Sequence, residues 1–198
     1  MSRQLVFATH NAHKVEEVRR ILEGTGIEVR SLADLDFQDD PPETGSTFES
    51  NALQKARFVL EHTGLPCVAD DSGLEVDALG GAPGVHSKRY TPEATADSNN
   101  AKLLTELTDT TNRAARFRCA LALVGPDGEF TASGACEGHI LESVSGAGGF
   151  GYDPIFAPTE APGRSMAELS ADEKNAISHR GRAFRQLPDL LARLGGAR

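Results

Sequence analysis

The most acidic of the chain's chemically suggestive stretches is Val68-Ala69-Asp70-Asp71-Ser72-Gly73. Two adjacent carboxylates repel each other at neutral pH unless a cation or a proton shares their site. Mg²⁺ suits such a place, because it takes oxygen ligands and is typically held by one or two carboxylates plus substrate phosphates. The pair follows an apolar strand, and α/β folds place ligands at the carboxyl ends of strands. The alternative is an exposed acidic turn. Glu43, in a proline-containing loop, is a further candidate ligand, although nothing local singles it out.

Thr9-His10-Asn11-Ala12-His13-Lys14 stands where a strand gives way to a helix. A helix N-terminus exposes unpaired N–H groups and the positive end of the dipole, so it receives anions readily. Thr9 and Asn11 add short polar groups, and Lys14 adds a full charge. Alternatively, Asn11 only caps the helix and Lys14 is a solvated lysine. His10 and His13 lack a third ligand nearby and do not read as a metal pair.

Gly146-Ala147-Gly148-Gly149-Phe150-Gly151 satisfies GxGxxG, but a dinucleotide fingerprint opens a helix in the first βαβ unit. Here the stretch comes late and runs into Tyr152-Asp153-Pro154. A glycine loop carrying an aromatic suits close approach to a flat base, with Phe150 or Tyr152 stacking on it. The alternative is a tight turn with both rings in the core. In Asp172-Glu173-Lys174-Asn175-Ala176-Ile177-Ser178-His179-Arg180, Arg180 lies roughly 120° around an ideal helix from Lys174. One helix face does not unite them; a shared site requires a bend near His179-Arg180 or the use of backbone groups. A solvated helix with i,i+4 charge pairs is the alternative.

The elements that must position these residues follow from periodicity. A strand is expected over Gln4–Ala8, a helix over Ala12–Glu23 with Val15, Val18 and Leu22 on its apolar face, and a strand over Ile27–Leu32. The acidic stretch Asp34–Gly45, with Pro41-Pro42, reads as a loop. Ser46-Thr47-Phe48-Glu49 has the form of a capping box for a helix that stops near Gly64. A strand over Pro66–Ala69 ends at the carboxylate pair, Gly80–Gly84 is a loop, and Pro92 opens a helix reaching Leu107. Two β segments, Ala115–Val124 and Glu129–Leu141, flank a hairpin turn at Pro126-Asp127-Gly128. Ser145–Gly151 is a loop, Ser170-Ala171-Asp172-Glu173 caps the last long helix, and a shorter helix follows Pro188. The order predicts a mixed-sheet α/β fold with flanking helices and no linker dividing it.

Composition narrows the function classes. The formal net charge of −9 argues against a nucleic-acid surface, which needs a basic stripe. It leaves room for a nucleotide substrate, which needs only a few placed cations. Leu5-Val6-Phe7-Ala8 is too short for a signal peptide, and no run reaches membrane-spanning length. Cys67, Cys119 and Cys136 lack CxxC spacing and read as buried thiols in a reducing compartment, placing the protein in the cytoplasm.

Taken in order, the motifs resemble the inosine triphosphate pyrophosphatase family over essentially the whole chain. The resemblance rests on Thr9-x-Asn11-x-x-Lys14, Glu43-Thr44-Gly45, Phe48-Glu49-x-Asn51-Ala52 and Lys55-Ala56. It continues through Ala69-Asp70-Asp71-Ser72-Gly73-Leu74, Leu79-Gly80-Gly81-Ala82-Pro83-Gly84, Phe150-Gly151-Tyr152-Asp153-Pro154-Ile155-Phe156 and Lys174-Asn175-x-x-Ser178-His179-Arg180. It implies an elongated two-lobed α/β fold with the nucleotide in the cleft between lobes, a homodimer, and Mg²⁺-dependent cleavage of ITP, dITP and XTP to monophosphate and pyrophosphate. It assigns the triphosphate to Thr9 through Lys14, with Lys55 and Lys174 as further cations. Asp71 would be the catalytic carboxylate and a metal ligand, Glu43 a second metal ligand and Ser72 a substrate contact. Phe150, Gly151, Tyr152 and Asp153 would hold the base, His179 and Arg180 would read its six-position, and Lys88 matches a substrate lysine of some members. His10 replaces a glycine common in the family, where the loop backbone is expected to face the phosphates.

Other readings are weaker. A Maf-type nucleotide pyrophosphatase lacks the joined Phe-Gly-Tyr-Asp and Ser-His-Arg motifs. A non-catalytic nucleotide sensor gains nothing from a second carboxylate unless a metal sits there. From sequence, the division of roles between Asp70 and Asp71 stays open.

Overall fold

The computed structural model describes residues 3–195. Its strands are β1 (Arg3–Phe7), β2 (Ile27–Ser31), β3 (Cys67–Val76), β4 (Ala114–Gly125), β5 (Gly128–Ile140) and β6 (Phe156–Pro158). They form a six-stranded sheet in the order β2-β1-β3-β4-β5-β6. The sheet is mixed, as expected: β1 runs parallel to β2 and β3, whereas β6 is antiparallel to β5. The helices are α1 (Ala12–Ile21), α2 (Phe48–Thr63), α3 (Ala96–Glu106), α4 (Ala171–Ile177), α5 (His179–Phe184) and α6 (Leu187–Gly195).

The chain divides into two compact units. Among the described residues, the first comprises 3–71, Cys119–Gly134 and 180–195; the second comprises Ser72–Arg118 and Ala135–His179. In the first unit the strands alternate strictly between two cores, because successive side chains point to opposite faces. Leu5, Phe7, Val68, Cys119, Leu121 and Leu123 pack with Val15, Val18 and Leu22 of α1 and with Phe184, Leu187 and Leu191. Val6, Ala8, Cys67, Ala69, Ala120, Ala122 and Val124 pack instead against Ala52, Ala56 and Val59 of α2. Full burial of one such leucine or valine contributes about 1.5–3 kcal/mol. The second unit has its own core, built around Leu74, Val76, Leu103, Phe117, Ile140, Tyr152, Ile155 and Phe156.

Several expectations are corrected. The expected strand over Pro66–Ala69 runs on through both aspartates to Val76, because Leu74 and Val76 continue the apolar pattern and are fully buried. The α2 capping box is one residue later than expected, since Thr47 Oγ1 accepts from Ser50 N while Ser50 Oγ accepts from Thr47 N. α3 starts after Thr95 rather than at Pro92, where another box forms with Ser98. The C-terminal region holds a helix that periodicity missed: extended Ser178 (ψ 153°) ends α4, and α5 follows at once. β6 was also not anticipated; three residues are too few to show a period.

Candidate active site

β1 pairs with β3 only as far as Phe7 opposite Val68. Asp70 and Asp71 therefore lie just past the end of β1, while β3 itself continues. That keeps both carboxylates at the carboxyl edge of the parallel β1–β3 pairing. Alternation then separates them. Asp70 continues the Val68 face, toward α1 and α5, and Asp71 continues the Ala69 face, toward α2.

Asp70 is locked. Lys14 Nζ donates to its Oδ1 at 3.0 Å. Arg180 Nε and Nη2 donate to its Oδ2 at 3.3 and 3.1 Å, and Arg180 Nη1 donates to Glu17 at 2.6 Å. Burial alone would raise the Asp70 pKa, but Lys14, Arg180 and Lys55 outweigh it and hold the carboxyl well below the usual range. Burial lowers the Lys14 pKa, with Asp70 opposing. Lys14 is thus a half-buried ion-pair member rather than a solvated surface lysine. Asn11 does cap α1, as its Oδ1 accepts from the N–H groups of His13 and Lys14. Thr9 Oγ1 accepts from Asn11 N, and His10 Nε2 turns to the Asp39 carbonyl at 3.1 Å. Ala12 and His13 form the exposed first turn of α1.

Asp71 sits in a different environment. Asn51 Nδ2 donates to its Oδ2 at 2.9 Å, and Lys55 Nζ lies 3.6 Å from its Oδ1. Burial raises its pKa, and the opposing effects of Lys55 and Asn51 do not cancel that. Lys55 also donates to Glu43 at 2.7 Å, so two carboxylates face one ammonium. The pKa of Lys55 is raised: burial alone would lower it, but Asp71, Asp70 and Glu43 outweigh burial. Glu43 is held by its loop: Gly45 N donates to Asn51 Oδ1 at 2.7 Å, and Thr44 pairs twice with Gln54. Gly45 is required here, because a Cβ would lie 2.1 Å from Ser50 Oγ. Asn51 and Glu17 are the residues sequence reasoning gave no role. Asn51 carried a signal, standing four residues before Lys55 on an otherwise apolar helix face.

In the second unit the glycine loop wraps a carboxylate. Asp153 Oδ2 accepts from Phe150 N at 2.8 Å and from Lys174 Nζ at 2.7 Å. Lys174 Nζ also lies 4.7 Å over the Phe150 ring, within cation–π range. Gly149 adopts φ +70°, and a Cβ there would meet Asp153 Oδ2 at 2.1 Å. Tyr152 is buried and its hydroxyl donates to the Ser87 carbonyl at 2.8 Å. Gly151 follows Phe150 at φ +63°. Lys88 is exposed on the 3₁₀ segment Gly84–Arg89, Ser72 is half-buried in β3, and His179 stacks on Phe117 at 4.8 Å.

The structure thus gathers Thr9–Lys14, Glu43, Lys55, Asp71 and Arg180 in the first unit. It gathers Lys88, Phe150–Asp153, Lys174 and His179 in the second. The Arg180 side chain, expected at the base, spends its donors on Asp70 and Glu17. The helix breaks at Ser178, just before His179-Arg180.

The family model described as the Ham1 family matches residues 5–190. The dITP/XTP pyrophosphatase of Geobacter sulfurreducens is 50% identical over 192 residues, 95% of this chain and 96% of that protein. The dITP/XTP pyrophosphatase of Bacillus subtilis is 48% identical over 193 residues, 96% of this chain and 97% of its own. Among solved structures, a HAM1 protein from Coxiella burnetii superimposes with a TM-score of 0.85 at 41% identity, covering 96% of this chain and 99% of that one. With the motifs in order, the mixed sheet in place and near-complete matches at this identity, the chain belongs to the Ham1 family.

Proposed function

We propose that the protein hydrolyses non-standard purine nucleoside triphosphates, ITP, dITP and XTP, to the monophosphate and pyrophosphate. The observation that carries this reading is the division of labour in Asp70-Asp71. One carboxylate is fixed as the anionic partner of Lys14 and Arg180. The other accepts from Asn51 at 2.9 Å and lies 3.6 Å from Lys55, and burial raises its pKa. Membership of the Ham1 family and relatives bearing the name dITP/XTP pyrophosphatase support it.

In this reading the triphosphate, with about four negative charges, is met in the first unit by Thr9–Lys14 and Lys55, despite the acidic total of the chain. Asp71, oriented by Asn51, positions a water and takes its proton as the oxygen attacks the α-phosphorus. Lys55 stands beside the charge that develops on the phosphate oxygens. Phe150–Asp153 take the base, and the His179-Arg180 segment, at the break between α4 and α5, discriminates its six-position.

The donor set of Glu43 and Asp71 fits Mg²⁺. Their oxygens already converge on one cation, and hard carboxylate oxygens are what this ion prefers. No cluster of three metal-binding side chains occurs among the described residues, so phosphate and water oxygens would complete its shell. The ion would supply charge neutralisation at the leaving pyrophosphate. The functional unit is proposed to be a cytoplasmic homodimer; among the described residues no helix is long and apolar enough to cross a membrane. Phosphorus NMR of ITP incubated with the protein and Mg²⁺ tests the reaction. IMP and pyrophosphate are expected as the first products, and IDP with orthophosphate would overturn the proposal.

A further inference from the structure

α3 carries adjacent asparagines, Asn99 and Asn100, both buried. Asparagine is a poor residue for a helix interior, and a buried amide is costly unless its hydrogen bonds are made. Asn99 makes them. Its Oδ1 accepts from Thr91 N at 2.9 Å and Thr91 Oγ1 at 2.8 Å, and its Nδ2 donates to the carbonyls of Ser87 and Lys88 at 3.4 and 3.3 Å. Asn100 is served on one side only. Its Nδ2 donates to the Gly151 carbonyl at 3.1 Å, while its buried Oδ1 has no partner. Turning the amide over would set oxygen against the Gly151 carbonyl, so the tether fixes which atom is orphaned.

The loop needs such a tether. Positive φ at Gly149 and Gly151 marks a segment with many accessible backbone states. Asp153 holds its Phe150 end, Asn100 holds Gly151, and the Tyr152 hydroxyl holds the Ser87 carbonyl that Asn99 also binds. One helix thereby ties the Ser87–Thr91 segment, which bears Lys88, to the loop that bears Phe150. An unmet buried acceptor retained for a single loop contact marks a residue kept for function rather than for folding.

We infer that Asn100 is a positioning residue for base recognition: through Gly151 it sets the Phe150–Tyr152 loop and takes no part in handling the phosphates. The inference rests on the assignment of that loop to the base. Calorimetric titration of Asn100→Leu with a non-hydrolysable α,β-methylene ITP and with tripolyphosphate tests it, alongside thermal melting. Affinity for the ITP analogue should fall at least ~10-fold, equivalent to about 1.4 kcal/mol. Tripolyphosphate affinity should stay within about twofold, and melting should be unchanged or higher, since leucine removes the orphaned acceptor. Asn100→Asp, of the same shape but with an acceptor facing Gly151, should give the same split between ligands and covers the case in which the leucine variant does not fold. Undiminished analogue binding in either variant overturns the inference, as does equal loss of both ligands. If the unaltered protein binds the analogue no better than tripolyphosphate, the assignment of the loop to the base fails first, and the inference with it.

Discussion

Replacing Asp70 with asparagine removes one negative charge from a site that holds two cations. Lys14 and Arg180 would then face a neutral amide at about the distances they now keep from the carboxylate, 3.0 and 3.1 Å. The Asp70 side chain is fully buried, so water cannot take its place. Removing one partner of a buried ion pair costs about 3–5 kcal/mol. For a chain of this size each kcal/mol moves Tm by about 2–4 °C, so a fall of about 6–20 °C is expected. Asp71→Asn should behave in the opposite way. Folding disfavours the charged form of Asp71, the new amide can still accept from Asn51, and Lys55 keeps Glu43. Its Tm should match or exceed that of the unaltered protein, while kcat drops at least ~10²-fold through loss of the base. The pH dependence has the same asymmetry. The stabilisation from Asp70 is full above the unfolded carboxylate value of about 4 and is lost as pH falls below it toward the depressed folded value. The penalty from Asp71 is present above its raised folded value and is relieved as pH falls through it. Differential scanning calorimetry of both variants from pH 3 to 7, with kcat at neutral pH, reads all of this. An Asp70→Asn protein melting within about 2 °C of the unaltered one would refute the assignment of Asp70 as the locked partner.

Chelation with EDTA should abolish ITP turnover and added Mg²⁺ should restore it, whereas turnover in metal-free buffer would remove Glu43 and Asp71 as ligands. The ratio of kcat/KM for ITP and XTP over ATP and GTP should be at least ~10²-fold, since donors at the six-position leave adenine's amine unpaired and GTP, which shares the six-carbonyl, is rejected at its two-amino group; comparable rates on ATP and ITP would contradict it. Arg180→Ala should lower Tm as Asp70→Asn does, because it takes a buried cation from both Asp70 and Glu17; a variant with normal melting and only altered base preference would return its guanidinium to the base. Light scattering should report twice the mass of the 198-residue chain, and a monomer would exclude the dimer.

What was legible in the sequence was what depends on period and on chain order. The apolar runs within Gln4–Ala8 and Ala115–Val124 marked strands and the order of elements gave the mixed sheet, whereas the two faces of those strands in the first unit follow from side-chain alternation in the folded protein. That same alternation could have divided Asp70 from Asp71, but Ser72-Gly73 resembles a turn and hid the continuation of β3. Only cross-strand pairing, which periodicity within one segment does not report, keeps that stretch extended. Capping was misplaced at α2 and α3 because Thr47-Ser50 and Thr95-Ser98 use a serine where glutamate is the usual partner. The Asn51–Asp71 and Arg180–Asp70–Lys14 contacts join residues 20, 110 and 56 positions apart, which chain order cannot supply. Lys174 looked solvated beside its acidic neighbours Asp172 and Glu173, yet its partner is Asp153, placed by a glycine loop in another part of the chain.

The central claim is that water activated by Asp71 attacks the α-phosphorus. Hydrolysis of ITP in ¹⁸O-labelled water, with mass spectrometry of both products, tests it most directly. The label should appear in IMP and be absent from pyrophosphate. Label in pyrophosphate would place the attack on the β-phosphorus and contradict the account.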